Sequence, residues 1–156
     1  MANQTLQQWL DAYGESHQNR TNKLIHFVCV PVIFLTVVGL LWAIPVPEVM
    51  AQVPGLNWAT LGLLFVVIYY ARLSFTLMLG MLVFSLLCVA IIRSVELAGL
   101  SVLWSSVVVF VLAWIGQFVG HKIEGKKPSF FEDLQFLMIG PAWIMNFLYR
   151  RLGLPV

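Results

Sequence analysis

The 156-residue chain is 60% apolar and only 10% charged, and its mean hydropathy of +0.89 lies far outside the range of soluble domains. Its formal net charge of +2 is too small to indicate a nucleic-acid partner. We therefore expect an integral membrane protein with an all-α fold, forming a single membrane domain over residues 1–156.

The first 23 residues are polar and lack the basic start, short apolar run and cleavage site of a signal peptide. Nothing in this segment indicates secretion, and we expect it to form a polar helical segment before the membrane. Cys29 and Cys88 both fall within apolar runs and lack the paired spacing of metal ligands. We interpret both cysteines as packing residues.

Four apolar stretches are long enough, or nearly so, to form membrane-spanning helices, which need about 20 residues. They cover residues 24–44, 56–71, 73–93 and 100–121. The second stretch is the shortest, but Tyr69 and Tyr70 beside Arg72 are typical of an interfacial anchor at its end. The sequence thus predicts a bundle of about four transmembrane helices, with a very tight turn at Arg72.

A fifth apolar segment, residues 130–149, is interrupted by polar and helix-breaking residues. These are Glu132, Asp133, Gly140 and Pro141. Such residues would be costly in a spanning helix exposed to lipid. We predict a re-entrant or interfacial segment that folds back over the cytoplasmic end of the bundle.

The basic residues predict the orientation, because lysine and arginine in short loops are retained in the cytoplasm. With four spans and both termini inside, only Arg93 of the nine basic residues lies near the far face. The cytoplasmic residues are Arg20, Lys23, Arg72, Lys122, Lys126, Lys127, Arg150 and Arg151. We expect a multi-pass protein, in the inner membrane if the source is bacterial, with membrane lipid as a partner.

The three histidines of the chain all lie where polar flanks meet apolar runs, at one predicted membrane surface. His17 and His26 are nine residues apart, which places them about 180° apart on an unbroken helix with about 100° per residue. They can share one metal ion only if the chain bends between them, and residues 18–22 can supply the bend. Thr21 or Asn22 is then a suitable cap for the first spanning helix.

Other polar residues recur at helical spacing around the histidines. Tyr13 precedes His17 by four residues and Asn22 precedes His26 by four, while Glu124 follows His121 by three. Neutral imidazole and carboxylate are good ligands for iron, manganese or zinc. Each residue also has a structural interpretation, as an interfacial anchor, a helix cap, a hydrogen bond between helices or, for Glu124, a pair with Lys127.

Together these residues resemble a family of small polytopic membrane proteins, the metal-dependent 2-hydroxy fatty acid dioxygenases. The matching positions are Tyr13, His17, Asn22, His26, Pro31, Gln117, Gly120, His121, Glu124 and Pro128. The resemblance covers nearly the whole chain and is most specific over Trp114–Pro128, WIGQFVGHKIEGKKP. Ser129 departs from the alanine expected after the proline.

The resemblance implies an Fe(II)-dependent enzyme of fatty acid alpha-oxidation that uses dioxygen to shorten a 2-hydroxy fatty acid by one carbon. The implied catalytic and metal-binding residues are His17, His26 and His121, with Glu124 as a further metal ligand. Tyr13, Asn22, Gln117 and Lys122 are implied to support these ligands or to bind substrate.

Two other classes of protein stay open from the residues. A non-enzymatic scaffold or lipid-binding protein would explain the apolar spans and the basic edge, but it does not require three histidines at one face. A haem-binding helical bundle could use two of the histidines as axial ligands. Metal content separates the first class from an enzyme, and an intense visible absorption band would reveal the second.

Overall fold

The computed structural model describes residues 5–128 and 135–155. Throughout these ranges the regular secondary structure is helical, which confirms the predicted all-α fold. The helices are α1 (Leu6–Glu15), α2 (Arg20–Trp42), α3 (Glu48–Ala51), α4 (Trp58–Leu73), α5 (Phe75–Leu97), α6 (Val102–Glu124) and α7 (Phe136–Leu152). The polar segment at the start of the chain thus forms a helix of its own, as predicted.

Three of the described helices, α2, α5 and α6, are long and apolar enough to cross a membrane, each with 23 residues. At about 1.5 Å per residue, each is roughly 35 Å long, against about 30 Å for the bilayer core. Helix α4 has 16 residues, which corresponds to about 24 Å. Because α4 is shorter than the bilayer core, a fourth crossing stays a prediction.

Large apolar side chains on the helices are exposed, including Phe65 at 72% and Val83 at 68%. So much exposed apolar surface would be unfavourable in water and is suited to contact with lipid. The chain is therefore a membrane protein.

The predicted tight turn is present, but it lies at the single residue Ser74 between α4 and α5, and Arg72 belongs to the last turn of α4. The Ser74 backbone N–H donates to the Tyr70 carbonyl, and the Ser74 hydroxyl accepts from the backbone N–H of Leu77. One serine thus ends one helix and caps the next, so that the turn needs no further residues.

The described chain divides into two compact units, and the boundaries fall within α2 and α6. One unit comprises residues 33–111. Its core is a cluster of buried side chains, Val38, Ala59, Leu63 and Ile92. Here Glu96 accepts a hydrogen bond from the Trp42 indole N–H at 2.9 Å and pairs with Arg93 at 2.8 Å.

The other unit comprises the described residues of 1–32 and 112–156, where α1 packs against α7. Gly140 and Pro141 were expected to interrupt the final apolar segment, but they lie buried inside the continuous helix α7. A Cβ atom at Gly140 would lie 3.1 Å from the Tyr13 hydroxyl oxygen, so the glycine lets α7 lie close to Tyr13. Glu132 and Asp133 fall outside the described residues. The re-entrant or interfacial placement of 130–149, like the single domain over 1–156, stays a prediction.

Candidate metal centre

The predicted bend between His17 and His26 is confirmed, since α1 ends at Glu15 and α2 begins at Arg20. The predicted cap is wrong. Asn19, rather than Thr21 or Asn22, caps α2, and its Oδ1 accepts the backbone N–H groups of Thr21 at 2.8 Å and Asn22 at 3.4 Å. The reason is that the helix starts two or three residues earlier than expected, at Arg20, so that the side chain just before it acts as the cap.

The bend brings the three histidines together. Their ligand-capable atoms all lie within 4.8 Å of one another, and the Nε2 atoms of His26 and His121 are 3.1 Å apart. The side chains are buried, with His17 at 0%, His26 at 1% and His121 at 5% exposure. His17 comes from the connection after α1, His26 from α2 and His121 from α6. We call these three residues the histidine cluster.

Hydrogen bonds fix the protonation of two of the rings. The Nδ1 atom of His17 lies 2.7 Å from the Tyr13 carbonyl oxygen, and that of His26 lies 3.0 Å from the Asn22 carbonyl oxygen. Each Nδ1 therefore carries the proton and donates it, which leaves the lone pair on Nε2. This is the usual arrangement of histidines that bind a metal through Nε2.

The aromatic surroundings of His17 keep it neutral. Tyr13 stacks on the His17 ring, with centroids 4.2 Å apart and planes 13° apart, and Trp143 of α7 lies 5.5 Å away. Burial lowers the pKa of His17 to about 4, and it also raises the pKa of the Tyr13 hydroxyl. At neutral pH His17 is thus an uncharged imidazole, the form that binds metals.

The Glu124 side chain makes hydrogen bonds with the bend between α1 and α2, which the pair with Lys127 considered above did not predict. Its Oε1 accepts the Gln18 backbone N–H at 2.8 Å, and its Oε2 accepts the Asn19 backbone N–H at 2.8 Å and the Asn22 side-chain amide at 3.0 Å. The group of described residues that could hold a metal comprises the histidine cluster and does not include Glu124. Three hydrogen bonds thus already engage this carboxylate, and its role as a metal ligand stays a prediction.

The remaining residues predicted for the site differ in how deeply they are buried. Asn22 is fully buried, and Gln117 is buried with its side chain beside His26. Lys122 is exposed on α6. Sequence reasoning did not single out Trp143 for this site, and no spacing signal relates it to His17, because only the packing of α7 brings them together.

The cluster fits a divalent transition metal ion. Three neutral imidazoles from separate elements are suitable ligands for iron, manganese or zinc, and three protein ligands leave coordination positions open for other molecules. The Nε2 atom of His17 is buried without a hydrogen-bond partner among the described residues. An unsatisfied buried nitrogen is unfavourable, and a metal ion would satisfy it.

The family model of the 2-hydroxy-palmitic acid dioxygenase Mpo1-like proteins matches residues 3–152. The chain belongs to this family. Among curated proteins, this family member is similar to the 2-hydroxy-palmitic acid dioxygenase MPO1 of Saccharomyces cerevisiae (strain ATCC 204508 / S288c). The two are 30% identical over 149 residues, which cover 93% of this chain and 80% of the yeast protein. No solved structure matches the chain. The resemblance to 2-hydroxy fatty acid dioxygenases seen in the sequence is thus confirmed at the level of the family.

Proposed function

We propose that this protein is an Fe(II)-dependent dioxygenase that shortens 2-hydroxy fatty acids by one carbon. The observation that carries the proposal is the convergence of His17, His26 and His121 in a buried cluster. Membership of a family described by 2-hydroxy-palmitic acid dioxygenase activity supports the choice of reaction.

The reaction balances with dioxygen as the sole oxidant. The bond between carbon 1 and carbon 2 breaks, carbon 2 becomes the carboxyl carbon of the shorter acid, and carbon 1 leaves as carbon dioxide. The substrate gives up four electrons, which reduce one dioxygen molecule, and one water molecule is released. No separate reductant is needed.

When bound, Fe(II) supplies Lewis acidity and a place for dioxygen next to the substrate. In our proposal the histidine cluster holds the ion. Tyr13 and Trp143 exclude water from one side of His17, and the Tyr13 and Asn22 carbonyls orient two of the rings. The acyl tail lies among the apolar helices, so the carboxylate and 2-hydroxyl groups reach the cluster from the membrane surface. Lys122, exposed beside His121, attracts the carboxylate.

The geometry favours this function over a haem-binding bundle. Axial haem ligands lie on opposite sides of the porphyrin plane, whereas the His26 and His121 nitrogens are in direct contact at 3.1 Å. The His17 ring also packs edge-on against both of the others. A scaffold function does not explain why three imidazoles are buried with their nitrogen atoms close together.

The test is turnover by detergent-purified protein reconstituted anaerobically with Fe(II). We expect 2-hydroxypalmitate, labelled at carbon 1, to yield pentadecanoate and labelled carbon dioxide with one dioxygen consumed per molecule. Palmitate and 3-hydroxypalmitate are the controls and should give neither product. Iron-loaded protein that leaves 2-hydroxypalmitate unchanged would contradict the proposed reaction, and protein that binds no metal would favour a scaffold.

A further inference from the structure

The connection between α1 and α2 carries both His17 and the start of the helix that holds His26. It has only the residues Ser16, His17, Gln18 and Asn19. A connection of this length has many conformations, and most of them would not bring the two rings to one point. Some contact from elsewhere in the chain has to hold it in the observed conformation.

Glu124 provides that contact from the last residue of α6. Its two carboxylate oxygens accept three hydrogen bonds, from the backbone N–H groups of Gln18 and Asn19 and from the Asn22 side chain. Backbone N–H groups just before a helix are otherwise unsatisfied, and a negative charge at a helix N-terminus is stabilising. The half-buried carboxylate therefore fixes both the connection and the first turn of α2.

Asn22 extends this contact toward both histidines. The amide nitrogen that reaches Glu124 also donates to the Ser16 carbonyl at 3.1 Å, the residue immediately before His17. The Asn22 carbonyl accepts from His26 Nδ1 at 3.0 Å. Gly120 makes the approach possible, because a Cβ atom there would lie 2.5 Å from Asn22 Oδ1.

Lys126 completes the arrangement on the other side of the connection. Its ammonium group donates to the Glu15 carbonyl, the last residue of α1, at 2.9 Å. The negative side chain thus meets the start of α2 and the positive one meets the end of α1, as the helix dipoles favour. Both side chains come from the same segment of the chain as His121.

We propose that Glu124 is a positioning residue that holds the connection between α1 and α2 so that His17 and His26 meet His121, and that it does so without binding the metal. The inference rests on the proposed function for the presence of a metal, and it replaces the predicted role of Glu124 as a ligand. Outer hydrogen bonds of this kind typically change metal affinity by about 10- to 100-fold.

The test uses Co²⁺ added to metal-free, full-length protein in detergent, because its visible absorption spectrum reports the ligand set. Glu124→Ala and Glu124→Gln should raise the Kd for Co²⁺ by about 10- to 100-fold and leave the spectrum at saturation unchanged. In Glu124→Gln the side-chain oxygen can still accept a hydrogen bond, but the NH₂ group that replaces the other oxygen faces an N–H donor and cannot accept from it. Glu96→Gln is the matched control, since it also removes a carboxylate that accepts hydrogen bonds, and its Kd should stay at the wild-type value.

A changed spectrum at saturation would overturn the proposal and make Glu124 a ligand, and an unchanged Kd would overturn it as well. Hydrogen exchange of metal-free protein tests the same role independently of the metal. Residues 16–22 should exchange faster in Glu124→Ala than in wild type or Glu96→Gln, and equal rates would overturn the proposal. If wild-type protein binds neither Co²⁺ nor Fe²⁺, the proposed function fails, and hydrogen exchange alone then decides the role of Glu124.

Discussion

The Nε2 atoms of His26 and His121 lie 3.1 Å apart although the two residues are 95 positions apart in the chain. Two uncharged imidazole nitrogens at this distance share one hydrogen bond, so one ring must place a proton between them. A metal ion bound by both nitrogen atoms would take the place of that proton, which would move to the other nitrogen of the same ring.

Replacement of a single histidine should therefore abolish metal binding. We expect His26→Ala and His121→Ala each to contain less than about a tenth of the wild-type iron, because two imidazoles hold a divalent ion far more weakly than three. Activity should fall with the iron content, while insertion into the membrane stays intact. Elemental analysis and turnover on the same preparations measure both quantities.

Lys127→Ala is the control for this experiment, because Lys127 is exposed and lies near the same end of α6. It should keep the wild-type iron content. Normal turnover by purified His121→Ala would contradict the assignment of the site.

Gly120 should be intolerant of a side chain even though it lies outside the histidine cluster. In Gly120→Ala the new Cβ atom would lie 2.5 Å from Asn22 Oδ1, so Asn22 must move away from Ser16 and Glu124. We expect the free energy of unfolding to fall by about 1–3 kcal/mol, as for other overpacked sites. Thermal unfolding in detergent measures the change.

Gly14→Ala is the control, and it should change the free energy of unfolding in the opposite direction. Gly14 lies within α1, and a Cβ atom there would make an ordinary contact with Trp143 at 3.7 Å. Alanine should stabilise the helix by about 0.5–1 kcal/mol. A Gly120→Ala protein as stable as Gly14→Ala would show that Asn22 is not confined as the structure describes.

The sequence was sufficient for the features that depend on local pattern. The apolar runs predicted helices within a few residues of their observed bounds, and the nine-residue separation of His17 and His26 required the observed bend. Both inferences rest on helical periodicity and length, which a single segment reveals on its own.

Contacts between distant segments could not be read in the same way. The spacing of His121 and Glu124 places both on one face of α6, yet Glu124 contacts Gln18, Asn19 and Asn22 of another segment. Which residues the Glu124 side chain contacts depends on how α6 packs, and hydropathy does not predict that packing. For the same reason nothing in the sequence relates Trp143 to His17.

Lys23 should contribute more to substrate binding than Lys122. Lys23 is half-buried, and its charge adds a small contribution to the lowering of the His17 pKa that burial mainly causes. No described carboxylate lies within ion-pair distance of Lys23. We expect Lys23→Met to raise the KM for 2-hydroxypalmitate by about 10- to 100-fold, since a hydrogen bond to a charged group contributes about 1.5–3 kcal/mol. Steady-state kinetics of iron-loaded protein measures it.

Lys122→Met is the matched comparison, because it removes the same charge from an exposed position. Exposed ion pairs contribute about 0–1 kcal/mol, so KM should change by less than about fivefold. Equal effects of the two substitutions would show that the basic edge attracts the carboxylate as a whole, without a specific role for Lys23.

The orientation of the chain and the placement of α7 can be decided by labelling single cysteines in the full-length protein. Cys29 and Cys88 are replaced by alanine, and Lys127→Cys or Arg151→Cys then introduces one thiol before or after α7. If both termini are cytoplasmic and α7 does not cross the membrane, a membrane-impermeant maleimide should label both positions from the cytoplasmic side. Arg93→Cys should be labelled from the opposite side, because Arg93 is the basic residue expected at the far face. Labelling of Lys127→Cys and Arg151→Cys from opposite sides would make α7 a spanning helix. Its 17 residues would then be about 26 Å long, which is shorter than the bilayer core of about 30 Å.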